Sequence, residues 1–158
     1  MRVAAGLLTI GLIVQATLPA LAAPAYLDDR STATAVVKSF YNAVNRQEYA
    51  RAYTYFGPNG GPQPYDQFAA GYADTASVKV LTGAEQDDGA AGSIYFTLPV
   101  AIDARQSDGS HKQFAGCYTI RFVQPGVQEP PVTPMFIYKA SLHAAHGALP
   151  AILPDCEP

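Results

Sequence analysis

From Ser31 to Phe56 the apolar residues fall at Ala33, Val36, Val37, Phe40, Tyr41 and Val44, the spacing of one stripe along a helix. A second run with the same period follows at Tyr49, Ala52, Tyr53 and Phe56. Ser31 or Thr32 can cap the first helix. Between the two runs, Asn45 is expected to cap the second and Glu48 to reach back to it in a capping box. Gly57-Pro58-Asn59-Gly60-Gly61-Pro62 then breaks the pattern, because neither Gly nor Pro continues a helix cheaply. No strand precedes this loop and no Lys-Ser/Thr follows it, so it is a breaker and not a phosphate cradle. Pro64 can open a third helix, with Tyr65, Phe68 and Tyr72 on one face, that fades between Gly71 and Asp74.

Beyond Ser77 the period changes to two. Val78 and Val80 predict a short strand ending near Thr82, and Asp87-Asp88-Gly89 predicts a turn. Ile94, Phe96, Leu98, Val100, Ile102 and Ala104 then share one face of a long strand, with Pro99 implying an edge or a bulge. Asp108-Gly109 is a hairpin signal, and the returning strand places Phe114, Gly116, Tyr118, Ile120 and Phe122 on one face and Cys117, Thr119 and Arg121 on the other. After the Pro-rich stretch Pro125 to Pro134, a last strand is expected to turn Phe136, Tyr138, Ala140 and Leu142 inward. Helices followed by about four strands predict an α+β fold, with the N-terminal helices packed on a curved antiparallel sheet. The expected core is Val37, Phe40, Val44, Tyr53, Phe96, Leu98, Val100, Tyr118, Ile120 and Leu142.

The first 22 residues stand apart from this pattern. Arg2, an uncharged stretch from Ala4 to Leu18 and the small-residue site Ala20-Leu21-Ala22 have the order of a secretory signal peptide. The expectation is an exported chain, periplasmic or secreted, without a membrane anchor once residues 1–22 are removed. Residues 23–30 are a lead-in, 31–147 the domain, and 148–158 a Pro-rich tail. The formal charge of the full chain is −3, with Lys and Arg scattered singly, which argues against a nucleic-acid partner. Cys117 and Cys156 are the two cysteines. In an oxidising compartment they are expected to pair, drawing the tail across the outer face of the sheet.

The stretch Val37-Lys38-Ser39-Phe40-Tyr41-Asn42-Ala43-Val44-Asn45-Arg46-Gln47-Glu48-Tyr49 resembles the opening helix of the nuclear transport factor 2-like superfamily, which includes SnoaL-like and ketosteroid-isomerase-like proteins. The resemblance spans roughly residues 31–147. It implies a cone, in which a curved sheet wraps the first helix and leaves a pocket, and it implies dimers formed through the sheet. One departure stands out: the Gly/Pro loop occupies the position of a short strand that the family usually has between its second and third helices. The superfamily hosts isomerases, dehydratases and hydrolases beside non-enzymatic domains, so the fold alone fixes no activity.

Six of the ten tyrosines lie between Tyr41 and Tyr72. Tyr41, Tyr53, Phe56, Tyr72, Phe96 and Tyr118 are the residues expected to line a pocket, which would take a small apolar ligand. Acid–base chemistry in such a pocket needs a carboxylate aimed inward. Asp103 alternates outward on its strand, and Asp66 and Asp74 lie off the aromatic side of the third helix, so no catalytic residue is assigned. His143 and His146 end a strand, where positions three apart face opposite ways, so neither a metal nor another cofactor is expected. The residues favour a non-catalytic domain that binds a small apolar ligand or a protein partner, a second copy included. The alternative is a pocket enzyme of the ketosteroid-isomerase or SnoaL type.

Overall fold

The computed structural model describes residues 23–157 apart from 59 and 91; the expected signal peptide lies outside the described residues. Helix α1 (Ala33–Asn45) opens where Thr32 Oγ1 accepts the Ala35 N–H at 3.0 Å. Its apolar stripe is buried: Ala33, Val36, Val37, Phe40, Tyr41 and Val44 are each at most 3% exposed. Helix α2 (Tyr49–Tyr53) runs into a 3-10 turn (Thr54–Phe56), and α3 (Tyr65–Gly71) follows the Gly/Pro loop.

The expected capping box between α1 and α2 is not formed. Gln47 takes a positive φ of 57°, so the chain turns sharply and Asn45 faces the sheet instead. There its amide brackets Val78, donating to the carbonyl at 2.9 Å and accepting the N–H at 2.6 Å. Glu48 has no capping bond and pairs with Arg46 and Arg51 at 2.7 and 2.6 Å. The lead-in is strapped to the outer side of these helices. Asn42 bridges Leu27 N–H and Ala25 carbonyl, Ser39 bridges the Asp29 backbone, and Tyr55 donates to the Asp28 carboxylate at 2.6 Å.

The sheet has five antiparallel strands: β1 (Thr75–Thr82), β2 (Gln86–Ala90), β3 (Ser93–Gln106), β4 (His111–Val123) and β5 (Met135–Ala145). β3 is central, with β4 along one side and both β1 and β2 along the other. Asp87-Asp88-Gly89 is therefore strand and not turn, paired with Tyr95, Phe96 and neighbouring residues. Pro99 sits where β1 has ended and β2 has yet to begin. Its missing N–H breaks no ladder there, and its carbonyl accepts from Gly83 at 2.8 Å. A side chain at Gly83 would crowd Pro99, since a Cβ there would lie 2.9 Å from the Pro99 Cβ.

On β5 the expected inward pair Phe136 and Tyr138 is corrected. The register slips between Thr119 and Ile120, so that Thr119 opposes Lys139 while Ile120 opposes Ile137, and Tyr138 is the extra residue. The bulge inverts the face of everything before it. Met135 and Ile137 join the core, Phe136 packs against Gly57 at the sheet edge, and Tyr138 turns outward against Tyr95. Ala140 and Leu142, beyond the bulge, point inward as expected. Of the expected core, Tyr53, Phe96 and Leu142 are half-buried at its margin and the other seven are buried.

Cys117 and Cys156 form a disulfide with a Cα–Cα distance of 6.0 Å. It holds the tail, including the short helix α4 (Leu149–Ile152), across the outer face of β3, where Ala101 is fully buried. Leu153 meets the same strip beside Gly83.

Candidate functional site

The sheet curves around α1 and does not close over it. β5 passes close to β4 at Gly116: a Cβ there would overlap the Ser141 carbonyl oxygen, so only glycine permits the approach. The space left between the curved sheet and the helices is a cavity of about 440 Å³, within the usual range for small-molecule sites.

Its floor is α1, which presents Phe40 and Tyr41. α3 and the end of the 3-10 turn bring Phe68, Tyr72 and Phe56, while β1, β3, β4 and β5 supply Val78, Ile102, Ala104, Phe114, Tyr118, Ala140 and Leu142. Rings meet edge to face along the floor, Phe40 with Tyr41 at 4.8 Å and Phe40 with Phe56 at 5.5 Å between centroids. Polar groups are few: the phenols, Thr75, Gln106, Gln63 and Lys112. None of the described lining residues is Asp, Glu or His.

Tyr41 and Tyr118 meet hydroxyl to hydroxyl at 2.6 Å inside this space. Two phenols own two protons and this contact uses one. Among the described residues neither hydroxyl has another partner, so one O–H is free to serve whatever occupies the cavity. Both groups stay neutral. Burial pushes Tyr41 well above the ordinary phenol value, with Tyr118 and Tyr72 adding to the shift. Tyr118 is also raised, chiefly by burial, and Tyr72 is pushed up to about 12 by the same cause. These phenols donate hydrogen bonds and do not act as bases at neutral pH.

The cavity gathers Tyr41, Phe56, Tyr72 and Tyr118 from the residues expected to line it. Tyr53 lies beside it, packed on Phe68 and donating to the Gln63 carbonyl at 2.8 Å. Phe96 lies outside the cavity lining, opposite Ile120 on β4. Gln106 and Lys112 were not singled out from the sequence, although alternation contains them. Gln106 continues the inward series after Ala104, and Lys112 precedes it on β4 before Phe114. Asp103 points the other way, bonded to His111 at 2.7 Å on the outer face. Among the described residues no three His, Cys, Asp or Glu side chains come together as a metal site would need, and no helix is long and apolar enough to cross a membrane.

A crystal structure from Novosphingobium aromaticivorans DSM 12444, named "Putative Scytalone Dehydratase", superposes with a TM-score of 0.50 over 70% of this chain and 80% of its own, at 10% identity. The likeness is one of fold. It supports the cone of helices on a curved antiparallel sheet, with a pocket between, that the opening helix implied. No protein-family model matches the sequence, and no curated protein does.

Proposed function

We propose that this chain is an exported, non-catalytic member of the nuclear transport factor 2-like superfamily that holds a small, mainly apolar molecule in its cone. The observation that carries the reading is the cavity: it has room for a ligand, aromatic and aliphatic walls, a free phenol proton inside, and no carboxylate or imidazole among its described lining residues. Apolar walls provide affinity, and the Tyr41–Tyr118 pair selects a molecule with an oxygen that can accept a hydrogen bond. The signal-like order of residues 1–22 and the Cys117–Cys156 bond support an oxidising, extracytoplasmic setting.

The test is native mass spectrometry of the exported protein, with organic extraction of what it carries. The expected result is a co-purifying apolar molecule, or binding of an added apolar dye such as N-phenylnaphthylamine, lost on Ala140→Trp. Ala140 is exposed on β5 at the cavity edge, so the larger ring plugs the opening without disturbing the core. Dye binding that survives Ala140→Trp unchanged would remove the reading.

The phenol pair also favours a second reading, that of a pocket enzyme. Two neutral phenols at 2.6 Å can stabilise an enolate oxygen, as an oxyanion site does, with hydroxide or buffer base from solvent taking the carbon's proton, because no described lining residue is Asp, Glu or His. The Novosphingobium protein is named as a dehydratase, and at 10% identity the likeness carries the fold and not the reaction. Deuterium exchange into the methyl group of acetophenone, followed by NMR, separates the two. Exchange accelerated by the protein and abolished by Tyr118→Phe would establish catalysis.

A further inference from the structure

Resting on the proposal that the cone holds an apolar molecule, we infer that its ligand is an amphipathic anion, an apolar organic acid whose carboxylate pairs with Lys112 at the cavity mouth. The exposed members of the lining, Pro62, Gln63, Gly71, Lys112 and Ala140, mark where the cavity opens, and the buried ones mark its interior. Lys112 is the one charged side chain among the described lining residues.

It stands opposite Ala104 in the β3–β4 register, on the face that carries Phe114 and Tyr118. No described carboxylate lies within ion-pair distance of it. Asp108 of the adjoining hairpin is exposed and already accepts the Ser110 N–H at 2.8 Å. A cation at the rim of an apolar hole, with its own pairing unfilled, favours one kind of guest. The apolar part gains by leaving water, and the anionic end remains at the surface beside the ammonium. Lys112 and Tyr118 are six positions apart on one strand, a span of at most about 20 Å, so an elongated acid held by its carboxylate at Lys112 can bring a second oxygen, farther along its chain, to the phenol pair. The chain's formal charge of −3 gives no general attraction for anions, which makes the local cation the selecting group.

Three probes with one tail and different heads decide the matter: dodecanoate, dodecanol and dodecyltrimethylammonium, titrated calorimetrically below the micelle concentrations of the two ionic probes and the solubility limit of dodecanol. Dodecanoate is expected to bind roughly two- to fivefold more tightly than dodecanol, the range of an ion pair that keeps contact with water, and the preference should shrink in high salt. Lys112→Met should bring dodecanoate down to the affinity of dodecanol and leave dodecanol unchanged. Lys112→Glu should shift the preference to dodecyltrimethylammonium. Lys112 is exposed, so these variants keep the fold. Equal binding of dodecanoate and dodecanol to the natural protein, or a preference that survives Lys112→Met, would overturn the inference and leave the apolar pocket standing. Failure of all three probes to bind would overturn the pocket reading and the inference together.

Discussion

The hydroxyl contact between Tyr41 and Tyr118 joins the first helix to the middle of β4 through a single shared proton. Tyr118→Phe removes that contact and leaves the Tyr41 hydroxyl facing the cavity, where water can serve it. The expected cost is about 1 kcal/mol in chemical unfolding, with a weaker affinity for acetophenone and little change for dodecane-like tails. The phenols also set an alkaline limit. Tyr41, Tyr72 and Tyr118 have folded pKa values raised above those of the unfolded chain, so the folded state holds their protons more tightly. The stabilisation is complete below about pH 10, and it is lost as pH climbs from there through the raised values. Tyrosinate absorbance should therefore rise in two stages. The buried three contribute only in the later stage, as the fold opens. A single stage near the ordinary phenol value, with the fold intact, would contradict the burial described above.

Among the elements, α1 fills the cone and its Phe40 touches Tyr41, Tyr55, Phe56 and Phe68. Phe40→Ala should cost about 3–5 kcal/mol, read as a lower thermal midpoint. This helix was legible because its stripe repeats strictly with the helical period and Thr32 caps it. β3 and β4 were legible too, as long alternations joined by Asp108-Gly109. Two features escaped for physical reasons. β2 is short, acidic and contains Gly89, so nothing in its composition distinguishes it from a turn; only pairing with β3 makes it a strand. In β5 the alternation Phe136, Tyr138, Ala140 looks continuous, whereas a bulge at Tyr138 inverts its first half. A bulge is chosen by the neighbouring strand's curvature, which local sequence does not contain. The same limit applied to the site. Its aromatic members were visible from periodicity, and Gln106 and Lys112 drew no notice because polar residues at strand ends normally mark only the way to a turn.

For the whole molecule, the disulfide joins residues 39 apart in sequence and binds the tail over Ala101 and Gly83. Cys117→Ser with Cys156→Ser should lower stability by up to about 4 kcal/mol, measured by denaturant unfolding. Limited proteolysis of the double variant should clip first within residues 147–157, leaving the cone intact. The cone itself depends on a position without a side chain. Gly116 lets the backbones of β4 and β5 meet more closely than any side chain there would allow, at Ser141 between the lining residues Ala140 and Leu142. That separates shape from chemistry. Exchanging Phe114, Leu142 or Lys112 alters one lining side chain and leaves the close approach of β4 and β5 untouched. A side chain at Gly116 would instead press on the Ser141 main chain and displace Ala140 and Leu142 together.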